Sequence, residues 1–301
     1  MKEDNIGLLC YMKPGEGLVL LREQILGKER FDYAFRTYIN RWAFKHPTPD
    51  DFFRTIENVA GEDLNWFFNQ WFLNKGHAEL NITYNWNAAT MSQQVIIEQK
   101  QNLSTTPLYK LPLDIDIYFA NSKRRERVIL TEQKQTFEFR CESQPQVVNV
   151  DAEKMLTGIK EDNHNEAEWI ALYKKGPLYL DRLEALKGLT KYENGTAPAS
   201  VMKSALSDKN RKIREFAITN CNTLLLGSDS LLVKNRLMEM AKADPNSGVR
   251  TMAIDKLSEN FSDQSVIDLA ISLTTDSSFE VMSNAIELIG NKKPEAALTM
   301  C

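Results

Sequence analysis

Few residues in this chain are spaced for chemistry. The histidines His46, His77 and His164 stand far apart, so no two share the i, i+4 spacing that sets a pair of imidazoles on one helix face for a metal. Each falls in a turn or a linker. Asp50 and Asp51 follow Thr48-Pro49 at a helix start, where adjacent side chains point in different directions and suit capping rather than shared acid/base work. Lys123-Arg124-Arg125-x-Arg127 gathers cations that can contact phosphate. It follows Asn121-Ser122 between two strand-like runs without an aromatic platform, which predicts a solvated hairpin tip. Gly15-x-Gly17 lacks the third glycine of a dinucleotide fingerprint because position 20 is leucine, and no Gly-x-Ser-x-Gly elbow or phosphate-binding Gly-x-x-x-x-Gly-Lys-Ser/Thr loop occurs. Tyr11 remains. In the apolar run Leu8-Leu9-Cys10-Tyr11 it reads by itself as a core tyrosine with a satisfied hydroxyl.

The elements that position these residues follow from periodicity. Leu18, Leu21 and Ile25 recur at helical spacing with Val19, Leu20 and Leu26 on the other side, which predicts a helix buried all round that ends at Gly27. Phe31, Ala34, Phe35, Tyr38, Ile39 and Trp42 mark an amphipathic helix; Thr48 and Pro49 open the next, and Gly61 closes it. Leu64, Phe67, Phe68, Trp71 and Phe72 repeat the helical pattern as an aromatic stripe, read as packing. After Gly76 the period becomes two. Leu80 to Trp86, Leu111 to Phe119 and Phe137 to Cys141 alternate, and shorter candidates at 94–98, 127–130 and 146–150 complete a small antiparallel sandwich with one wet face.

From residue 166 the pattern is helical throughout and repeats. Counted from Asp208, Asp244 and Asp276, a β-branched residue stands at +5, alanine at +9, isoleucine at +10 and an apolar residue at +13, at intervals of 36 and 32 residues. Arg214 and Arg250 share the +6 position, and Met282 departs from it. An aspartate at a helix start and a small alanine at a crossing are what stacked helix pairs require, and the pattern resembles HEAT repeats. No outer capping repeat is evident after Gly290. The expected domains are 1–76, helical; 77–151, β-sandwich; 152–165, linker; and 166–301, helical repeats.

Acidic residues number 41 against 37 basic ones, a net charge of −4, which gives no electrostatic footprint for nucleic acid or an anionic membrane. No apolar run approaches the roughly twenty residues needed to cross a bilayer, and the chain is expected to be soluble. Cys10, Cys141, Cys221 and Cys301 are scattered, without a Cys-x-x-Cys pair, and read as free thiols.

The run Tyr11-x-Lys13-x-Gly15, Ile25-Leu26-Gly27, Phe31-Asp32-x-Ala34-Phe35-Arg36-x-Tyr38-Ile39, Phe44, Thr48-x-Asp50-Asp51-Phe52-Phe53, Glu57, Gly61-x-Asp63-Leu64 and Trp71 resembles the zinc aminopeptidases of the gluzincin clan. That family includes alanyl aminopeptidase and leukotriene hydrolase. Pro14 departs from it, since the commoner pattern is Tyr-Glu-Lys-Gly. The resemblance implies the helical end of a thermolysin-like catalytic domain, then the sandwich, then the repeats. It also implies that Tyr11 steadies the oxyanion of a tetrahedral intermediate. The zinc motif His-Glu-x-x-His is absent from this sequence. The resemblance places it, with a third ligand glutamate and the motif that holds the substrate amine, upstream of the tyrosine. The chain is therefore expected to be the C-terminal portion of a zinc enzyme acting on peptides, to hold no zinc itself and to be inactive without the N-terminal half. Any targeting signal would lie upstream, which leaves the compartment open. The alternative is a stand-alone helical-repeat protein that binds a peptide or a protein without catalysis.

Overall fold

A computed structural model describes residues 13–156, 158–192, 195–222, 224, 227 and 229–297. The chain divides into two compact units, one ending at His164 and one beginning at Asn165.

The first unit opens with helices. Helix α1, Lys13–Leu20, runs on through a wider helical turn, Leu21–Leu26, and stops at Gly27, whose φ of 81° is a conformation that glycine adopts without strain. The expectation that this helix is buried all round does not hold among the described residues. Leu20, Leu21 and Leu26 are buried, whereas Val19 is exposed on a side that also carries Gly15 and Glu16. Gly17 lies on the buried side, and a Cβ there would meet Trp71 Cβ at 3.2 Å. Close packing of α1 thus explains the second glycine of the Gly15-x-Gly17 pair.

Helices α2 (Lys28–Trp42) and α3 (Pro49–Ala60) follow, and then α4 (Asn65–Phe68), which continues as a wider turn to Leu73. Asp51 accepts the Thr48 N–H at 2.8 Å and the Thr48 hydroxyl at 2.9 Å, so it does cap α3, and Gly61 ends that helix at φ 71° with its N–H on Glu57 O at 2.8 Å. The aromatic stripe is core. Phe67, Phe68 and Trp71 are buried, and Phe68 stacks on Phe53 with ring centroids 4.2 Å apart.

Seven described strands form two sheets. Strands β1 (Ala78–Asn87), β2 (Ser92–Gln99), β5 (Lys134–Arg140) and β7 (Gly158–Asp162) make the order β5-β2-β1-β7; β3 (Leu111–Tyr118), β4 (Lys123–Leu130) and β6 (Val147–Val150) make β4-β3-β6. One buried apolar cluster runs from Leu20, Phe31 and Trp71 of the helices into Ile82, Val95, Ile97, Leu113, Ile115 and Ile117 of both sheets. The sheet containing β7 is mixed rather than antiparallel, because β7 lies parallel to β1 with Ala78 opposite Gly158. This strand sits inside the stretch 152–165 that reads as a linker. Its sequence, Gly-Ile-Lys-Glu-Asp, is mostly exposed and too short to alternate apolar with polar, so edge pairing with β1 determines it rather than patterning. A Cβ at Gly158 would fall 2.2 Å from Ala78 O.

Strand β4 corrects a second expectation. It begins at Lys123, so the basic cluster is strand rather than hairpin tip, and the turn before it closes through Phe119 N–H on Ser122 O at 2.9 Å. Register explains the difference: Asp116 lies opposite Arg125 and Asp114 opposite Arg127. Opposite charges in directly facing cross-strand positions favour pairing.

The second unit is helical. Helix α5 (Glu166–Lys175) starts from a capping box in which Asn165 Oδ1 accepts the Glu168 N–H at 3.0 Å and Glu168 accepts the Asn165 N–H at 2.8 Å. Helices α6 (Tyr179–Leu189), α7 (Thr196–Ala205), α8 (Arg211–Thr219), α9 (Ser230–Ala243), α10 (Ser247–Asn260), α11 (Gln264–Leu273), α12 (Phe279–Lys292) and the short α13 (Pro294–Ala297) follow. The repeated aspartates do not cap these helices directly. Asn210 accepts the Lys212 N–H before α8 and Asn246 the Val249 N–H before α10, while each aspartate closes the turn one step earlier by accepting the N–H two residues on.

The same aspartates link successive repeats. Arg182 pairs with Asp208, Arg214 with Asp244 and Arg250 with Asp276, through contacts of 2.7 to 3.1 Å. Arg214 and Arg250 also donate to the backbone carbonyls of Asp208 and Asp244, so each guanidinium joins the start of its own repeat to the start of the next. The middle pair is the most buried, with side chains 8% and 3% exposed.

Asp244→Ala is expected to strand the Arg214 charge in that buried position and to lower the stability of the helical unit by about 3–5 kcal/mol. Replacing both partners, Arg214→Met with Asp244→Leu, should recover most of the loss. Urea denaturation followed on the helical signal checks both.

Candidate functional site

The described residue nearest in sequence to Tyr11 that carries polar chemistry is Lys13, the first residue of α1. Its side chain turns into the protein, and the ammonium donates to Gly76 O at 2.7 Å, to Asn74 O at 2.9 Å and to Tyr109 Oη at 3.3 Å. Tyr109 Oη in turn donates to Gly76 O at 3.0 Å. No carboxylate takes part in these contacts. The charge is held by carbonyl oxygens just past the end of the α4 segment, where the helix dipole favours a cation. Burial pulls the Lys13 pKa below the usual lysine value and pushes the Tyr109 phenol up to about 12.

The surroundings are fixed to the same degree. Gly76 has φ 86°, and a Cβ there would lie 2.4 Å from Thr106 Oγ1. Gln70 exchanges two hydrogen bonds with the Lys110 backbone, and Gln99 exchanges two with the Tyr109 backbone. Gln101 donates to Gln99 Oε1 at 2.8 Å and to Pro107 O at 3.1 Å. These side-chain amides replace backbone pairing along 99–110, which lies between β2 and β3. Lys13 and Tyr109 are too enclosed and too well partnered for proton transfer to a substrate. What they supply is a rigid starting point for α1.

Tyr11 itself lies outside the described residues, as do Cys10 and Cys301. The three histidines are not brought together. His46 and His77 are exposed, and His77 Nε2 is 3.6 Å from Glu79. His164 is buried, with its ring stacked on Tyr84 at a centroid distance of 4.3 Å. Beside it, Tyr84 donates to Asp162, and Lys160 pairs with Asp162 at 3.0 Å. Burial alone would raise the Asp162 pKa, and the charges of Lys160 and His164 with the Tyr84 hydrogen bond outweigh it and hold the carboxyl low. Sequence reading missed this cluster because Tyr84 and Asp162 are 78 positions apart and meet only through the β1–β7 pairing.

The basic cluster is neutralised. Arg127 makes a two-pronged contact with Asp114 at 2.7 and 2.9 Å; Arg125 does the same with Asp116 at 2.6 and 2.9 Å, and Lys123 adds a third bond to Asp116 at 2.9 Å. Gln24 of the α1 extension donates to Asp114 as well. The Arg127 hydrogen bond is the largest cause of the lowered Asp114 pKa, and burial opposes it. For Asp116, burial would raise the pKa, but Arg125 and Lys123 together outweigh it. Cys141 and Cys221 are buried free thiols, and burial pushes Cys221 up to about 11, away from nucleophilic use.

No family model matches the chain. Over 139 residues, 46% of the chain, it is 22% identical to a protein of Sulfurisphaera tokodaii named probable aminopeptidase 2, of which the match covers 17%. The structure is similar to the crystal structure of Legionella pneumophila aminopeptidase A in complex with aspartic acid, with a TM-score of 0.68 and 16% sequence identity over 95% of this chain and 39% of that one. The fold is aminopeptidase-like. The chain therefore spans well under half the length of the proteins it matches.

Among the described residues no group of three His, Cys, Asp or Glu side chains is arranged to hold a metal ion. The described residues therefore offer no donor set that fits the zinc implied by the sequence resemblance. Among them, too, no helix is long and apolar enough to cross a membrane.

Two outcomes are expected. Lys13→Met removes the ammonium donor from the Asn74 carbonyl and leaves the Gly76 carbonyl with Tyr109 alone, and should cost about 1–3 kcal/mol in the first unit's urea unfolding, followed by tryptophan fluorescence. Asp114 has a folded pKa below its unfolded value, so its stabilisation is present above the ordinary carboxylate range and is lost as pH falls through the folded value. Asp114→Asn should therefore flatten the acid limb of the stability–pH curve below about pH 4, measured by thermal unfolding of the first unit.

Proposed function

We propose that these residues belong to a zinc aminopeptidase that removes N-terminal residues from peptides, and that they form the portion following its zinc motif. The observation that carries this reading is the fold match, which takes in 95% of this chain and 39% of a longer aminopeptidase. The motif run from Tyr11 to Trp71 supports it from sequence. On this reading the strands form the small sandwich of such enzymes and the helix pairs a HEAT-like repeat domain. Metal, third ligand and amine-binding motif belong to the N-terminal half, and the 301 residues alone cleave nothing and retain no zinc.

Tyr11 is then the one catalytic contributor. Its hydroxyl donates a hydrogen bond to the oxygen on which charge develops as the scissile carbonyl becomes tetrahedral. Lys13 acts as a positioning residue, because its amine fixes the first turn of α1 two positions beyond the tyrosine. A zinc ion held by residues of the other half would supply Lewis-acid chemistry at that carbonyl.

In the longer protein, Tyr11→Phe is expected to lower kcat on an aminoacyl p-nitroanilide by about 10²–10³-fold with KM little changed, as for loss of one oxyanion donor. Full activity in that variant removes the role from Tyr11. A native reading frame without His-Glu-x-x-His ahead of Tyr11 removes the peptidase reading as a whole and leaves a helical-repeat binding protein.

A further inference from the structure

Two buried glutamines hold two consecutive residues of the first unit in the same way. Gln99, fully buried at the end of β2, accepts the Tyr109 N–H at 2.9 Å and donates to Tyr109 O at 2.8 Å. Gln70, in the turn that continues α4, accepts the Lys110 N–H at 2.7 Å and donates to Lys110 O at 3.1 Å. Each amide thus meets both backbone groups of its residue, as a neighbouring strand would. Tyr109 and Lys110 are themselves in no strand, since β3 opens only at Leu111. Lys110 is held a third way, its ammonium 4.3 Å from the Trp66 ring centroid.

A clamp of this kind sets where the Tyr109 side chain begins, and Trp71 sets where its ring lies, with ring centroids 5.8 Å apart. The hydroxyl at the far end then meets Lys13 Nζ at 3.3 Å and Gly76 O at 3.0 Å. The contacts run from Gln99 through Tyr109 to the ammonium that starts α1, so a segment between two strands reaches the first helix. Its contribution is specific. The Lys13 stem is flexible, and its other two acceptors, Asn74 O and Gly76 O, both belong to the turn after α4. Those two carbonyls tie α1 to that turn alone. The Tyr109 hydroxyl adds a point from a different part of the chain, and contacts from two separate segments define one position where contacts from one segment leave a swing.

We infer that Tyr109, set in place by Gln99 and Gln70, is a positioning residue for the oxyanion donor at Tyr11 and acts through Lys13. The inference rests on the aminopeptidase reading. It adds to that reading a part for the 99–110 segment, which lies outside the helices, in the geometry of the reaction.

The test is a double-mutant cycle on kcat in the longer protein, with an aminoacyl p-nitroanilide as substrate. Tyr109→Phe keeps the ring and removes the hydroxyl, and is expected to lower kcat about 10-fold with KM and the first unit's urea midpoint little changed. Added to Tyr11→Phe it is expected to cost less than about 2-fold more, because the group it positions is gone. The same fall in both backgrounds, or no fall in either, overturns the inference while leaving Tyr11 its role. Full activity in Tyr11→Phe alone, or a longer protein without peptidase activity, removes the reading beneath the inference and the inference with it. If Tyr109→Phe shows no cooperative urea transition, Gln99→Glu goes through the same cycle, since it keeps the acceptor for the Tyr109 N–H and gives up the donor to Tyr109 O. Hydrogen exchange on the 301-residue chain reads the link to α1 without catalysis. There α1 amides are expected to exchange about 10-fold faster in Tyr109→Phe with those of β1 and β2 unchanged, and equal exchange in α1 overturns the inference.

Discussion

A buried ammonium with no carboxylate beside it sets the terms for the first unit. Taking the Lys13 charge out of water is costly, as its lowered pKa records, and the cost is met only if several carbonyls and a helix C-terminus converge on one point. Asn74 and Gly76 come from the turn after α4, and Tyr109 comes from the segment before β3, so α1 can start in one place only. The apolar core alone would not be so exacting. Leucines and phenylalanines tolerate repacking, whereas three directed hydrogen bonds do not.

The second unit answers the same problem with charge pairs. Each aspartate is shared between the turn of its own repeat and the arginine of the repeat before it, so the spacing of helix pairs is recorded in pairs six positions out of step. Such pairs add little net stability compared with apolar substitutes, but removing one half is expensive, which makes them better devices for register than for affinity. The series of pairs stops at Asp276, because the third repeat carries Met282 where the earlier ones carry arginine.

Much of this was legible in the sequence. The 3.6 and 2.0 periods marked the helices and six of the described strands, because these elements bury one face within their own unit. The repeat spacing was visible because identical contacts recur, although the role of the aspartates was misplaced by one step: a side chain that accepts a neighbouring N–H and a distant guanidinium looks, from sequence, like a helix cap. The charged face of β4 and the whole of β7 were missed for one reason. Asp114 and Asp116 sit under Arg127 and Arg125, and Gly158 sits on Ala78, and both facts are pairings between segments that periodicity within one segment does not encode. The candidate site was legible only in part. Tyr11 was raised from a core residue by the motif that follows it, and nothing in the spacing of Lys13 signalled that its amine is buried.

Pro14 shows how the motif and the structure bear on each other. It departs from the commoner Tyr-Glu-Lys-Gly pattern, and inside a helix a proline would remove a hydrogen bond and clash with the preceding turn. Here it follows the first residue of α1, where the missing N–H has no intrahelical acceptor to lose and the fixed φ suits the helix. The departure therefore leaves the helix start intact. Lys13, immediately before it, anchors that start to Asn74 and Gly76, so the backbone leading back toward Tyr11 departs from a point fixed on one side by the ring of Pro14 and on the other by the buried amine. An oxyanion donor must be held to a fraction of an ångström to act in the transition state. On the reading proposed above, a donor at Tyr11 would depend on the fixed start of α1 that follows it in sequence.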